Sequence, residues 1–311
     1  SNIKGQYDCV VGVSGGVDST YVALLAKDLG LRTLLVHLDN GWNSEISVKN
    51  VSNITKSTNF DLYTHVIDWN EFRDIQVSLF KASVVDIELA TDHAIKATLF
   101  NIAAKFKVKF ILNGGNVVTE AIMPPSWRHT KVDKSNIKDI HNKFGRVPIK
   151  TYPMSGIIQH QFYKYFSRIK TIQILNYYTF DRDYVVSRIK AELGWIDYGG
   201  KHHESIFTRF YQAYILPKKF NIDKRLAHYS NLICAGQLSR DDALEKLIEP
   251  VYDHALLDQD LVFVTKKLGF SESEFNDYLD KPARSHYEFK SDDKMIEILL
   301  RIRRFLTSNR F

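Results

Sequence analysis

Cysteine is scarce in this chain: Cys9 and Cys234 are the only two in 311 residues. They lie far apart, each in an apolar setting, which excludes a disulfide framework and a Cys-x-x-Cys metal site within the chain. Both are expected to be core thiols. No run of about 18 uninterrupted apolar residues occurs and no signal peptide opens the chain, so no membrane association is expected and the cytoplasm is the default compartment. The chain begins Ser-Asn without a methionine, as in a processed or tag-cleaved polypeptide. Internal repeats and low-complexity tracts are missing too. Charge of one sign is only slightly in excess, 42 Lys and Arg against 36 Asp and Glu, a net +6. That balance suits an anionic partner, whether nucleotide, sugar phosphate or RNA, and selects none of them. The apolar content of 44% is enough to bury the core of one large or two modest domains.

What is present is concentrated first in residues 10–19, Val-Val-Gly-Val-Ser-Gly-Gly-Val-Asp-Ser. The apolar run at 7–13 predicts a buried parallel strand, and 20–29 predicts a helix closed by Gly30. Gly15 and Gly16 let the backbone pass close to an anion, and the helix that follows turns its free N–H groups to the same place. Ser14, Gly15, Gly16, Val17, Asp18 and Ser19 therefore form a candidate phosphate loop, with hydroxyl donors at both ends. A carboxylate at Asp18 makes sense there if a Mg²⁺ bridges it to the phosphates. The loop has no lysine, so it is not the Gly-x-x-x-x-Gly-Lys-Ser/Thr type that grips β and γ phosphates.

Further strands are expected at 32–38, 61–67, 109–113 and 172–177, with helices at 46–57, 72–82, 91–106 and 182–193. Ligands of open α/β sheets bind beyond the carboxyl ends of the strands. His37, Asp39 and Asn40 after the second strand, and Gly114, Gly115, Asn116 and Glu120 after the fourth, should therefore face the same crevice as the glycine loop. Asn40-Gly41 is a turn that also lines this site. Thr91 is a candidate N-cap; Asp92 and His93 either face substrate or serve as capping and surface residues. The polar, basic segment 131–150, with few apolar anchors, is expected to be a mobile flap or exposed excursion. Residues 159–170 interleave aromatics with cations, as single-stranded nucleic acid binders do and as ordinary amphipathic helices do. Gly199-Gly200 breaks the chain before a helix whose start is crowded by Lys201, His202, His203 and Glu204, a place that favours an anion, with Arg209 four residues after Ser205 on the same face. Adjacent histidines point to different helix faces and no third spaced ligand follows, so zinc is not expected there. From 222 onward the pattern is helical, with Ser239 and Ser271 as N-caps and a basic amphipathic helix at 291–306. The whole predicts a doubly wound parallel α/β sheet, with an ATP-binding domain at 1–178 and a mainly helical substrate and partner region at 179–311.

Ser-Gly-Gly-x-Asp-Ser after a first strand resembles the PP-loop ATP pyrophosphatase superfamily, of the adenine nucleotide alpha hydrolase-like fold. The resemblance implies ATP cleaved between its α and β phosphates, an adenylated oxygen, and AMP displaced by nitrogen or sulfur. It further implies that the second strand end meets the adenine, that Asp39 lies near metal and ribose, and that Asp18 and Glu120 hold Mg²⁺ beside the pyrophosphate. Residues 37–45, 112–116, 122–127, 194–211 and 230–234 more narrowly resemble the N-acetyl sugar amidotransferases of surface-polysaccharide (lipopolysaccharide) and nonulosonate biosynthesis. That resemblance implies an acetamido group of a nucleotide-activated or nonulosonate sugar converted to acetamidino, with ammonia drawn from a separate glutaminase subunit. Lys201, His202, His203 and Arg209 would then join Asp18 as catalytic groups, serving the sugar and the intermediate. Family members usually carry a cysteine-containing segment before the first strand; it is absent here, and no zinc site is expected within the chain. Two other readings stay open. One is a PP-loop tRNA-modifying enzyme of the lysidine-synthase or thiolase kind, although nucleic acid is the less expected partner. The other is a non-catalytic nucleotide-binding module, which usually blurs the loop that is intact here.

Overall fold

The computed structural model describes residues 5–199, 204–295, 297–298 and 301. Five strands, β1 (Cys9–Gly12), β2 (Thr33–Asp39), β3 (Asp61–Val66), β4 (Phe110–Asn113) and β5 (Lys170–Gln173), form one sheet in the order β3-β2-β1-β4-β5. All four pairings are parallel. Helices α1 (Val17–Asp28), α2 (Glu45–Thr58), α3 (Trp69–Ala82), α4 (Leu89–Lys105), α5 (Val117–Glu120), α6 (Lys134–Phe144), α7 (Ile157–Tyr165) and α8 (Arg182–Leu193) accompany it. The C-terminal helices are α9 (Ile206–Phe210), α10 (Leu216–Phe220), α11 (Lys224–Cys234), α12 (Arg240–Ile248), α13 (His254–Leu268) and α14 (Glu272–Asp280). The chain winds from β1 to β3 in one direction, then returns past β1 to lay down β4 and β5. The order thus reverses between β1 and β4, and a crevice opens at that switch point beyond the strand ends.

The strands are continuous apolar runs because both faces of the sheet are covered. Cys9, Val11 and Leu35 pack with α1, α2 and α8, whereas Val10, Leu34 and Val36 pack on the opposite side with Ile102 and Ala103 of α4. A third core is built without the sheet: Phe72 and Phe80 of α3 meet Phe207 and Phe210 of α9, Val264 of α13 and Phe275 of α14. This core fixes α9 over the strand ends. A π-helical turn, Tyr211–Ile215, joins α9 to α10, and such turns are common at functional sites.

Four local expectations are corrected. Residues 131–150 are not a flap: they contain α6, whose Ile137 and Ile140 are buried. What the sequence hid is that polar groups anchor the segment. Asp133 accepts from the Asn136 N–H at 2.9 Å, His141 Nε2 meets Asp74 at 2.9 Å, and the Glu71 carboxylate accepts the amides of Lys150, Thr151 and Tyr152. Thr91 lies inside the first turn of α4; Glu88 occupies the N-cap position without a capping bond, its side chain turned to Gln212 instead. The fifth strand ends at Gln173, where the chain tightens into the 3₁₀ turn Ile174–Tyr177. Cys9 is buried as expected, but Cys234 is exposed, because α11 buries only Ala227 and Asn231 and its last turn runs past that contact. Ser239 and Ser271 do cap α12 and α14. Of the helix expected at 291–306, the described residues 293–295, 297–298 and 301 are helical. Among the described residues no helix is long and apolar enough to cross a membrane.

Candidate active site

The glycine loop links β1 to α1 at the switch point. Gly15 has a φ of +80°, and a Cβ there would stand 2.5 Å from the Ser47 carbonyl oxygen, so only glycine fits. Within the loop, Ser14 Oγ lies 3.2 Å from Ser19 Oγ and accepts the Gly16 N–H at 3.3 Å. Three residues from elsewhere brace it from behind. The Trp195 indole N–H donates to the Gly15 carbonyl at 2.9 Å, the Asn50 amide donates to the same oxygen at 3.3 Å, and the Tyr198 hydroxyl accepts the Val17 N–H at 3.3 Å. Asn50 is itself held by both backbone groups of Ile196. Burial, with the nearby Glu204 charge adding to it, raises the Tyr198 phenol, which therefore stays protonated. Sequence reasoning assigned these braces no role; Gly194-Trp195 stood out only through the family resemblance.

The second glycine pair closes against the first loop. A Cβ on Gly114 would lie 3.1 Å from Asp18 Cβ, and one on Gly115 would lie 3.3 Å from Glu120 Oε2. Asp18, through its Cβ and backbone, and Glu120, through its carboxylate, thus approach one glycine pair beside a loop rich in N–H and O–H donors. That set of hard oxygens fits Mg²⁺. Asn116 is buried and caps α5, accepting the Thr119 N–H at 2.9 Å. After β2, the His37 Nδ1–H donates to the Val13 carbonyl at 2.8 Å, and its Nε2 accepts from Asn43 at 3.3 Å. Asp39 Oδ1 accepts the Gly41 N–H at 3.0 Å and Asn40 Oδ1 the Trp42 N–H at 3.1 Å, forming the expected turn. His37 and Asn40 line the crevice, while the Asp39 carboxylate is engaged in the turn.

The crevice is a cleft of about 920 Å³ that runs from Ser14 and Gly114 along α4 to α9 and α11, which roof it. Its charges fall into two groups. At the loop end, Tyr198 feels Glu204, Asp18 and Arg182. At the other end, Lys131 Nζ sits between Asp86 at 2.6 Å and Asp92 at 2.9 Å. Glu88, buried beside them, accepts from Gln212 at 3.2 Å; burial raises its carboxyl, with Lys224 opposing. His93 is buried, bonded to the Lys131 carbonyl at 3.0 Å and the Ser155 N–H at 3.2 Å, and burial lowers it to about 4. Its ring is neutral and holds backbone. Arg209 lines the cleft, yet its Nε and Nη2 donate to Asp260 at 2.7 and 2.8 Å, and Tyr252 donates to the same carboxylate. Lys201, His202 and His203 lie outside the described residues; Glu204, which follows them, places Oε1 3.3 Å from where a Cβ on Gly16 would be.

Residues 204–303 match the family model described as LPS biosynthesis protein WbpG-like, C-terminal domain, and residues 8–103 match Queuosine biosynthesis protein QueC. No curated protein matches the chain. Among solved structures, the chain is similar to NMN synthetase from Francisella tularensis, with 14% identity over 86% of this chain and 89% of that one, TM-score 0.38. It is also similar to the NH3-dependent NAD synthetase of Campylobacter jejuni, with 13% identity, coverage of 87% and 90%, and TM-score 0.38. A predicted subunit of tRNA methyltransferase from Methanocaldococcus jannaschii shares 15% identity over 58% of this chain and 73% of that one, TM-score 0.34. Likenesses at this level bear on neither substrate nor reaction. The QueC-matched segment carries the glycine loop, and the WbpG-like segment supplies the helices that roof the same cleft. The Ser-Gly-Gly-Val-Asp-Ser loop on a 3-2-1-4-5 parallel sheet, the QueC match over residues 8–103 and the WbpG-like match over residues 204–303 together support a PP-loop ATP pyrophosphatase superfamily member with a WbpG-like C-terminal domain.

Proposed function

We propose that this chain is an ATP-dependent amidotransferase that converts an acetamido group of a nucleotide-activated or nonulosonate sugar to an acetamidino group, in cytoplasmic steps of lipopolysaccharide or nonulosonate biosynthesis. The observation that carries the reading is a single cleft joining the glycine loop to the WbpG-like helices. In this reading residues 1–178 hold ATP and residues 179–311 serve the sugar and a partner.

An amide oxygen is a poor nucleophile, so the site must align it on the α-phosphorus and stabilise the charge gathering on pyrophosphate. Ser14, Ser19 and the amides of Gly15 and Asp18 provide donors for that charge. Asp18 and Glu120 would hold Mg²⁺, which when bound supplies charge neutralisation at the phosphates. The amide oxygen bonds to the α-phosphorus as the α–β bridge breaks and pyrophosphate leaves. Ammonia then adds to the activated carbon, the carbon–oxygen bond breaks, and AMP departs with the amide oxygen while nitrogen loses a proton. His37, Asn40 and Asn116 shape the nucleotide end. Lys201, His202 and His203 are assigned to the sugar and the intermediate; Arg209, tied to Asp260, is assigned to positioning the roof. The test is pyrophosphate release from ATP with Mg²⁺ and an ammonium salt, comparing UDP- and CMP-linked acetamido sugars with bulk tRNA. Sugar- and ammonium-dependent release with AMP supports the reading. Release that needs tRNA, or ADP as product, overturns it.

A further inference from the structure

Lys96 on α4 and Arg128 in the 122–131 segment both line the cleft. Asp92, one turn before Lys96 on α4, pairs with Lys131 Nζ at 2.9 Å, and Arg128 lies three residues before Lys131, so the two cations are brought to the same part of the cleft. Among the described residues neither Lys96 nor Arg128 has a hydrogen bond or ion pair. The nearest carboxylate, Asp92, is already shared with Lys131, whose Nζ it meets at 2.9 Å. Burial and the two neighbouring cations all press the Lys96 ammonium toward its neutral form. An anion between Lys96 and Arg128 would relieve that pressure.

Both cations stand on fixed supports. Arg128 follows the 3₁₀ turn Pro125–Trp127 and precedes His129, whose N–H donates to Asp86 at 2.7 Å. The start of the same segment is pinned from α11, where Asn231 bonds the N–H of Ile122 at 2.7 Å and its carbonyl at 3.2 Å. Lys96 rises from the middle of a seventeen-residue helix that packs on the sheet. A planar guanidinium fork beside a compact ammonium matches an oxyanion with two exposed oxygens.

We propose that Lys96 and Arg128 form an anion subsite that takes a carboxylate or phosphate oxyanion of the acceptor sugar, so that acceptors are selected for that charge. The word acceptor here rests on the amidotransferase reading; the subsite itself rests on the two cations and their supports.

The experiment is titration calorimetry on the whole chain loaded with α,β-methylene ATP. The probes are neutral N-acetylglucosamine, its 6-carboxylate (the uronic acid), and UDP-N-acetylglucosamine. At least one charged probe should bind the wild type at least tenfold more tightly than the neutral sugar. Lys96→Ala with Arg128→Ala should erase that advantage, and Lys96→Arg with Arg128→Lys should restore part of it. Among the described residues neither belongs to a packed core or bonds another side chain, so the variants should keep the wild-type melting temperature. Which charged probe loses affinity tells the carboxylate from the phosphate. Equal affinity for neutral and charged probes, no binding of either charged probe, or weakened α,β-methylene ATP binding in the double alanine variant overturns the proposal. If charge-dependent binding holds while no sugar ever triggers pyrophosphate release, the amidotransferase reading fails and the subsite stands.

Discussion

Trp195→Phe removes the indole N–H that reaches the Gly15 carbonyl at 2.9 Å from behind the glycine loop. The carbonyl keeps its second donor, Asn50 at 3.3 Å, so no acceptor is orphaned and the lost bond accounts for about 0.5–1.5 kcal/mol. Trp195 is 4% exposed and stacks edge-on with Tyr198 at 5.3 Å, so the smaller ring also leaves a void. A total near ~2 kcal/mol follows, or a melting point lower by about 3 °C for a chain of this length. The effect on turnover should be larger than that loss suggests. Gly15 and Val17 are held by the same Trp195–Tyr198 support, and a displacement of ~1 Å at a reacting phosphate can lower a rate about a hundredfold. The assay is pyrophosphate release at saturating ATP, run below the melting point of the variant. Val264→Ala, in the sheet-free core and 0% exposed, serves as a control of comparable instability with the loop untouched. Tenfold or greater loss in Trp195→Phe with near-normal rate in Val264→Ala is expected. Equal losses in both, or wild-type turnover in Trp195→Phe, would refute the bracing argument.

Asp18→Asn should lower pyrophosphate release by about a hundredfold or more with the circular dichroism spectrum unchanged, since its carboxylate is assigned to the metal rather than to the core. Arg209→Met should act first on stability: Asp260 is 7% exposed at its side chain, and stranding such a charge costs about 3–5 kcal/mol, read as a steep drop in melting temperature. A variant that melts like the wild type while its sugar KM rises would make Arg209 a substrate ligand instead. Acidification should destabilise the fold. Burial lowers His93 to about 4 and His286 to about 3 in the native state, below the ordinary value near ~6.5, so the unfolded chain binds protons that the native chain refuses. Stability is full above about pH 6.5 and declines toward pH 4 by up to ~1.4 kcal/mol per pH unit for each histidine. Melting temperatures at pH 7.5, 6 and 5 check this, and His93→Gln should make the slope shallower.

The glycine loop, its strand and its helix were legible because their signals are local: glycines at one turn, an apolar run before it and a periodic run after. The alignment of Ser14, Asn40 and Gly114 on one crevice followed from a rule about strand ends in parallel sheets. The braces were not legible, because Gly15 and Trp195 meet across 180 residues of chain and nothing in either sequence neighbourhood names the other. Arg209 looked like an open cation beside a crowded helix start; its partner, Asp260, comes 51 residues later. The segment at 131–150 looked loose because its anchors are Asp133, His141 and the distant Glu71 and Asp74, whereas the usual signal for a packed segment is apolar. Lys96 carries no local sequence signal that sets it apart from other helix lysines. Only the roof of the cleft and the arrival of Arg128 give it a setting.

The central claim is that the amide oxygen of the acceptor is adenylated. The direct measurement is to supply an acetamido sugar labelled with ¹⁸O in its carbonyl, with ATP, Mg²⁺ and an ammonium salt and no glutamine, and to weigh the AMP released. The account predicts one ¹⁸O in the phosphate of each AMP formed, alongside unlabelled pyrophosphate and a sugar that has exchanged its carbonyl oxygen for nitrogen. Unlabelled AMP, or label retained in the sugar product, would contradict it.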